Sequence, residues 1–425
     1  MNRTVFKNSL LGEYTYAKLG CGLSVYVMEK KGFSSSYAVF GTKYGSIDTR
    51  FRREGEKEIE VPEGIAHFLE HKLFENEEGD TFARFAKTGA YANAFTTFDR
   101  TCYLFSCTKN FEENLDILLD FVQSPYFTAE TVEKEQGIIG QEIKMYEDSA
   151  GWRVFFNMLS EMYENHSVKI DIAGTVESIA KIDDKLLYEC YNTFYNPENM
   201  YICIAGNVNT DEVLSRIERG IKKNQGFKVN RSDFIETDSV KSRYIEQSLE
   251  IAKPMFCLGF KENLGNRYPT VKERIVAGIA LEVLCGDCSA LYRRLIDSSL
   301  ISDEFSSEYF EGRGYSAFVF EGETDEPRKV AEEISREIKR LIENGIDEKL
   351  LAAAKKSAFG DAVKRFDSVE GIVMDMIDCA VSGGELFDTV ESLREVTAED
   401  ITERLKELKD ECSVLSVINP KRRDL

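Results

Sequence analysis

Gly64-Ile65-Ala66 recurs 214 residues further on as Gly278-Ile279-Ala280, and Val176-Glu177-Ser178-Ile179 recurs at the same displacement as Val390-Glu391-Ser392-Leu393. A repeat half a chain long constrains architecture more than any local pattern, because a duplicated unit folds twice. Each tetrapeptide is followed by a helix-like stretch and then a β-rich run, Met200 to Ala205 in the first half and Ser413 to Ile418 in the second. At 425 residues the chain exceeds one ordinary core and suggests two domains of roughly 200 residues. The segment Lys222 to Ser242, rich in Lys, Asn, Asp and Ser without periodicity, reads as a linker. The expected organisation is therefore 1–221, a linker 222–242, and 243–425.

Within the first half, Gly22 to Met28 and Ser34 to Gly41 read as strands, as do Ala90 to Thr97 and Thr101 to Thr108, rich in Phe, Tyr and Thr across a short polar turn. A helix is expected to begin near Pro62, and longer helical patterns cover Phe111 to Ser124 and Ala129 to Asp148. Strands and helices do not alternate as strict βαβ units. The fold class expected is α+β, with two duplicated domains that each pack an antiparallel sheet with helices.

Composition excludes several functions. A formal charge of −21 argues against a nucleic-acid surface, whose affinity comes from Lys and Arg displacing counterions, and against anionic lipid. No run of about 18 apolar residues offers a membrane span, and Met1 to Gly20 has no apolar core of a signal peptide, so a cytoplasmic location is expected. The ten cysteines then read as buried, reduced thiols. Cys285-Gly-Asp-Cys288 is an isolated pair and reads as structural. Likewise Glu75, Glu77, Glu78 and Asp80 read as a solvated helix end.

The chain has three histidines, and two stand in His67-Phe68-Leu69-Glu70-His71. Residues four apart share a helix face, so both imidazoles can address one ion with Glu70 beside them, while Ile65, Phe68, Leu69 and Leu73 form an apolar stripe. A catalytic zinc takes three protein ligands and keeps one position open. With no third histidine nearby, a carboxylate from another element is needed. Glu135 and Glu142, seven apart among Ile138, Ile139 and Ile143, are the best candidates: Glu142 as ligand, Glu135 as support for a ligand histidine, with Glu133 and Glu147 as alternatives of the same chemistry.

These residues resemble the inverted-motif zinc peptidases, the family of pitrilysin, insulin-degrading enzyme and mitochondrial processing peptidase, whose signature is His-x-x-Glu-His with a ligand glutamate some seventy residues on. The resemblance implies Zn2+ held by His67, His71 and Glu142, with Glu70 as general base and Glu135 as a supporting glutamate. Asn93, Ala94, Phe95 and Thr96, followed by Thr101-Cys-Tyr103, look like the family's edge strand, along which a peptide substrate lies extended. His166 and Gly174 fall where the family often has a His and a Gly; His166 itself reads as structural. At the repeat displacement, His67, Glu70 and His71 correspond to Leu281, Leu284 and Cys285, so the second copy lacks the motif, as in this family, where one domain holds metal and its sister completes a clamshell chamber.

One departure bears on assembly. Single-chain members carry a substrate-gripping Arg and Tyr after a Leu-x-x-x-Leu helix; here Leu291 to Leu295 is followed by Ile296, and Asp303 stands where the Tyr is expected. Arg293, Arg294, Arg313 and Tyr315 are possible substitutes. Two-subunit members take the pair from an inactive partner, so the resemblance implies a heterodimer with a second homologous chain, or else a homodimer. The function expected is a zinc-dependent endopeptidase acting on peptides or short unfolded polypeptides. The alternatives are a non-catalytic peptide-binding homologue and a dedicated maturation protease for one precursor.

Overall fold

The computed structural model describes the chain except for residues 54, 77, 78, 223–225 and 422–425, so Glu77 and Glu78 of the acidic cluster and part of the linker lie outside the described residues. Two compact units form. The first comprises Met1–Ile143, Asp171–Ser232 and Val363–Phe387; the second comprises Lys144–Ile170, Asp233–Ala362 and Asp388–Leu425.

The first unit is built on seven strands in the spatial order Asn2–Asn8, Gly12–Lys18, Ser24–Glu29, Met200–Gly206, Ser36–Thr42, Thr101–Cys107, Tyr91–Thr96. Neighbours run antiparallel except Ser24–Glu29 and Met200–Gly206, which are parallel. Ser36–Thr42 and Met200–Gly206 are buried at every position. Their apolar, aromatic and small residues suit strands covered on both faces.

In the second unit five strands follow the order Tyr244–Leu249, Ser413–Pro420, Met255–Glu262, Tyr315–Glu323, Ser306–Gly312, again with the first two parallel and the rest antiparallel. This is the order and sense of the last five strands of the first unit. Duplication is therefore a property of the fold, and the extra strands Asn2–Asn8 and Gly12–Lys18 belong to the first copy alone.

The compact units do not follow the sequence halves 1–221 and 243–425. Helix Ala150–Met162 packs on strands Met255–Glu262 and Ser413–Pro420 of the second unit, and helix Val369–Ser382 packs on Met200–Gly206 and Ser36–Thr42 of the first. The reason lies in the sheets. Phe40, Ile202 and Ile204 face one core with the helices, while the alternate residues Val39, Tyr201 and Cys203 are equally buried on the other side and need a second cover. In the second unit the fit is close enough that a Cβ on Gly259 would stand 2.4 Å from Met162 Cε and 2.7 Å from Met158 Sδ. Glycine there makes room for the exchanged helix.

Candidate metal and catalytic site

The helix carrying the histidine motif runs Ile65–Leu73, starting three residues after Pro62. Gly64 precedes it at φ 85°, and a Cβ at that position would lie 2.3 Å from the Ala173 carbonyl oxygen. Gly174, at φ 75°, stands reciprocally against Glu63, where a Cβ would meet the carbonyl oxygen at 2.6 Å. Ser178 Oγ donates to that same Glu63 oxygen at 2.9 Å. The start of the helix is thereby seated on the 171–178 turn through backbone contacts only glycine permits. Ile65, Phe68, Leu69 and Leu73 anchor the apolar stripe in the core, which leaves His67, Glu70 and His71 on the remaining face.

Glu142 comes from helix Ala129–Glu147. On this helix Glu135, Ile139 and Ile143 are buried, whereas Ile138, placed on the same face by the sequence reading, is exposed. Glu142 Oε1 lies 3.7 Å from His67 Nε2, and Oε2 lies 3.5 Å from His71 Nε2. Glu133 and Glu147 are exposed. Donor atoms of His67, His71 and Glu142 all fall within 4.8 Å of one another, the one such group of three among the described residues. Ligands about 2.0–2.1 Å from a tetrahedral zinc stand roughly 3.3 Å apart, close to the spacings seen.

The donor chemistry fits a divalent cation. Burial, reinforced by the neighbouring His71 ring, pushes His67 down to about 3, so its imidazole is neutral and able to ligate near neutral pH. Its Nε2 faces Glu142 Oε1 at 3.7 Å, beyond hydrogen-bond reach and wide enough for a cation between them, and its Nδ1 is buried without a hydrogen-bond partner among the described residues. His71 Nδ1 lies 3.0 Å from Glu135 Oε1, which orients the ring with Nε2 toward Glu142. Burial pulls His71 down, but Glu135, Glu70 and Glu142 together raise it, and the carboxylates that favour a proton there equally favour a metal ion.

Glu70 is buried, and burial raises its carboxyl despite the opposing pull of His71 and of a hydrogen bond from Thr96. Thr96 Oγ1 donates to Glu70 Oε2 at 2.8 Å. The sequence reading groups Thr96 with Asn93, Ala94 and Phe95 on the strand expected to pair with substrate through its backbone; the Thr96 hydroxyl is turned to the glutamate. All four lie on Tyr91–Thr96, the edge of the sheet, pairing Asn93 with Leu104, Ala94 with Tyr103, Phe95 with Cys102 and Thr96 with Thr101. Asn93 Oδ1 accepts from the Ala94 N–H at 2.9 Å.

Lys72 also escaped the sequence reading. Its side chain is fully buried in the motif helix and donates to Glu75 and, at 3.4 Å, to the Thr131 carbonyl, tying this helix to the one that carries Glu142. A lysine beside a histidine on a polar helix face carries no pattern that separates it from a solvated one.

The second unit carries none of this chemistry at the repeat positions. Leu281, Leu284 and Cys285 are all buried in its core. Arg294 pairs with Glu337 at 2.7 Å, Tyr315 is buried against Phe310 and His166, and Arg293 and Asp303 are exposed. His166 accepts from the Val168 N–H at Nδ1 and donates through Nε2 to the Arg313 carbonyl, both at 3.0 Å, so both ring nitrogens are used structurally. Cys285 is buried, Cys288 is exposed, and neither is in a disulfide.

Comparison with known proteins places these observations in a family. Residues 56–176 match the insulinase (peptidase family M16) model, and residues 181–358 match the model described as the peptidase M16 inactive domain. An uncharacterised zinc protease of Bacillus subtilis, YmfH, is 44% identical over 404 residues, spanning 92% of this chain and 93% of that protein. The mitochondrial-processing peptidase subunit beta of Bos taurus is 30% identical over 173 residues, 40% of this chain and 34% of that one. Among solved structures, an M16-like protein of Alicyclobacillus acidocaldarius superposes with a TM-score of 0.91 at 36% identity, covering 96% of this chain and 98% of that chain. With its duplicated fold, its histidine–glutamate cluster and full-length relatives named zinc proteases, the chain belongs to the insulinase family of peptidases, family M16.

Proposed function

We propose that this chain is a zinc-dependent endopeptidase that hydrolyses peptides or short unfolded polypeptides held in extended form along Tyr91–Thr96. The observation that carries the proposal is the convergence of His67, His71 and Glu142 from two helices, with Glu70 one residue from a ligand and facing the same space. Zinc bound by these three residues would supply Lewis acidity toward a carbonyl oxygen and lower the pKa of a water. Glu70, buried and with its carboxyl raised, is suited to take a proton from the attacking water and return it to the leaving amine. Among the described strands Tyr91–Thr96 pairs only with Thr101–Cys107, so apart from the Ala94 N–H, which donates to Asn93 Oδ1, its backbone can add an extended peptide, and recognition reads main chain first and tolerates varied side chains.

A second homologous chain, or a second copy of this one, completes the substrate site in this reading. Support comes from the departures at Ile296 and Asp303 and from a relative named as a beta subunit. The test uses the purified chain with and without a homologue lacking the motif: zinc content by elemental analysis, and turnover of a quenched fluorescent peptide. Glu70→Gln is expected to keep zinc and lose at least about 1,000-fold in kcat. A wild-type chain that binds zinc yet cleaves nothing under either condition would support the non-catalytic homologue instead.

A further inference from the structure

Thr96 closes the edge strand, and its partner across the ladder is Thr101. The two hydroxyls stand 3.4 Å apart, but Thr101 Oγ1 donates to the Tyr44 carbonyl at 2.8 Å, so its proton is committed elsewhere. An ionised Glu70 can only accept, so the 2.8 Å contact to Glu70 Oε2 runs from Thr96. It is the one hydrogen bond that the Glu70 carboxylate makes to a described residue.

The element that presents this hydroxyl is rigid. In the turn after Thr96, Thr97 N–H donates to the Arg100 carbonyl at 2.8 Å, and Ser46 and Ile47 donate to the Thr97 and Phe98 carbonyls at 3.0 and 2.9 Å. Arg100 then pairs with Asp99 at 2.8 Å and with Asp378, on the exchanged helix Val369–Ser382, at 2.6 Å. Thr97, Phe98, Arg100 and Thr101 are thus held by partners other than Glu70. The glutamate, in contrast, has three rotatable side-chain bonds and one tether.

We infer that Thr96 is a positioning residue for Glu70: its hydroxyl fixes Oε2 and so leaves Oε1 as the oxygen that addresses water. The inference rests on the peptidase reading above. It also assigns one strand two tasks, since Tyr91–Thr96 would carry the peptide backbone and set the orientation of the base that acts on it.

Thr96→Val removes the hydroxyl with little change of shape, and Thr96→Ser retains it. With wild-type zinc content confirmed for each, Thr96→Val should lower kcat about 10- to 100-fold, the range for losing one hydrogen bond to a charged group, with KM within about threefold. Thr96→Ser should recover most of the loss. An unchanged kcat in Thr96→Val, a loss confined to KM, or no recovery by Thr96→Ser would overturn the inference. Wild-type turnover and its loss in Glu70→Gln report separately on the peptidase reading. Should no peptide be cleaved, urea denaturation of the metal-free protein still decides: Thr96→Val should lower the midpoint when Glu70 is present and leave it unmoved in a Glu70→Ala background, whereas equal shifts in both would refute the contact.

Discussion

Gly64→Ala should disturb the proposed metal site without touching a candidate ligand. At φ 85° an L-residue costs about 1–2 kcal/mol. The added Cβ would also stand 2.3 Å from the Ala173 carbonyl oxygen and 2.8 Å from its carbon, so the two backbones must part by about 1 Å to reach ordinary contact. Ala173 cannot yield easily, because its N–H donates to Asp171 Oδ1 at 3.0 Å and Gly174 N–H donates to the Asp171 carbonyl at 2.9 Å. The helix start gives way instead. Strain and lost packing together come to about 2–4 kcal/mol. Gly64 accepts the first helical hydrogen bond, from Phe68 N–H at 2.9 Å, so the shift is passed to His67, while Glu142 on its separate helix stays in place. Zinc affinity should fall at least about tenfold. Urea denaturation of the metal-free protein and chelator competition for zinc measure the two effects. Gly360→Ala, in a helix where an added Cβ meets nothing within 4 Å, is the control and should be neutral or slightly stabilising. A Gly64→Ala protein within about 0.5 kcal/mol of wild type and with unaltered zinc affinity would refute the seating argument.

Glu135→Gln weakens the charge-assisted contact that orients His71, and should lower zinc affinity about 10- to 100-fold while leaving the ligands in place; chelator competition checks it. Glu236 gives a pH dependence in the second unit. Burial alone would raise it, but Lys261 at 2.9 Å and the backbone N–H groups of Glu164, Asn165 and His166 bring it down to about 2. Because the folded value lies below the ordinary 4.5, its stabilisation is complete above about pH 4.5 and lost as pH falls toward 2. At most about 3 kcal/mol is involved, so Glu236→Gln should flatten the acid limb of the stability–pH curve by up to that amount and change little of its slope above pH 5. An acid limb identical in the two proteins would show that this carboxylate carries none of the dependence.

Elements with strong local periodicity were readable to within two or three residues: Thr101–Cys107, Phe111–Val122 and Ala129–Glu147 all fall where alternation or helical spacing put them. Strand pairing was not. Ser24–Glu29 lies parallel to Met200–Gly206, more than 170 residues away, and nothing in either segment names the other. The helix exchange was hidden for the same reason, since the apolar stripes of Ala150–Met162 and Val369–Ser382 would cover either sheet. At the site, the two histidines and Glu70 were legible because helical spacing is local. The spacing of Glu135 and Glu142 favoured Glu142 over Glu133 or Glu147 and the family resemblance added to that, whereas the Thr96–Glu70 contact depends on a rotamer and a strand register that one sequence does not encode visibly.

The two copies differ at the positions of the candidate site in a way that follows from burial. The site places polar groups where the sister helix buries apolar ones: His67, Glu70 and His71 stand against Leu281, Leu284 and Cys285, of which Leu284 is fully buried. A fully buried leucine contributes about 1.5–3 kcal/mol relative to exposure, whereas a buried glutamate or imidazole needs partners merely to break even. The first unit supplies those partners through Glu135 for His71 and Thr96 for Glu70. On the proposed reading, in which one copy holds the ligands, core packing at the second copy's positions adds stability at no cost in chemistry, while the sheet order, set by strand pairing, is the same in both.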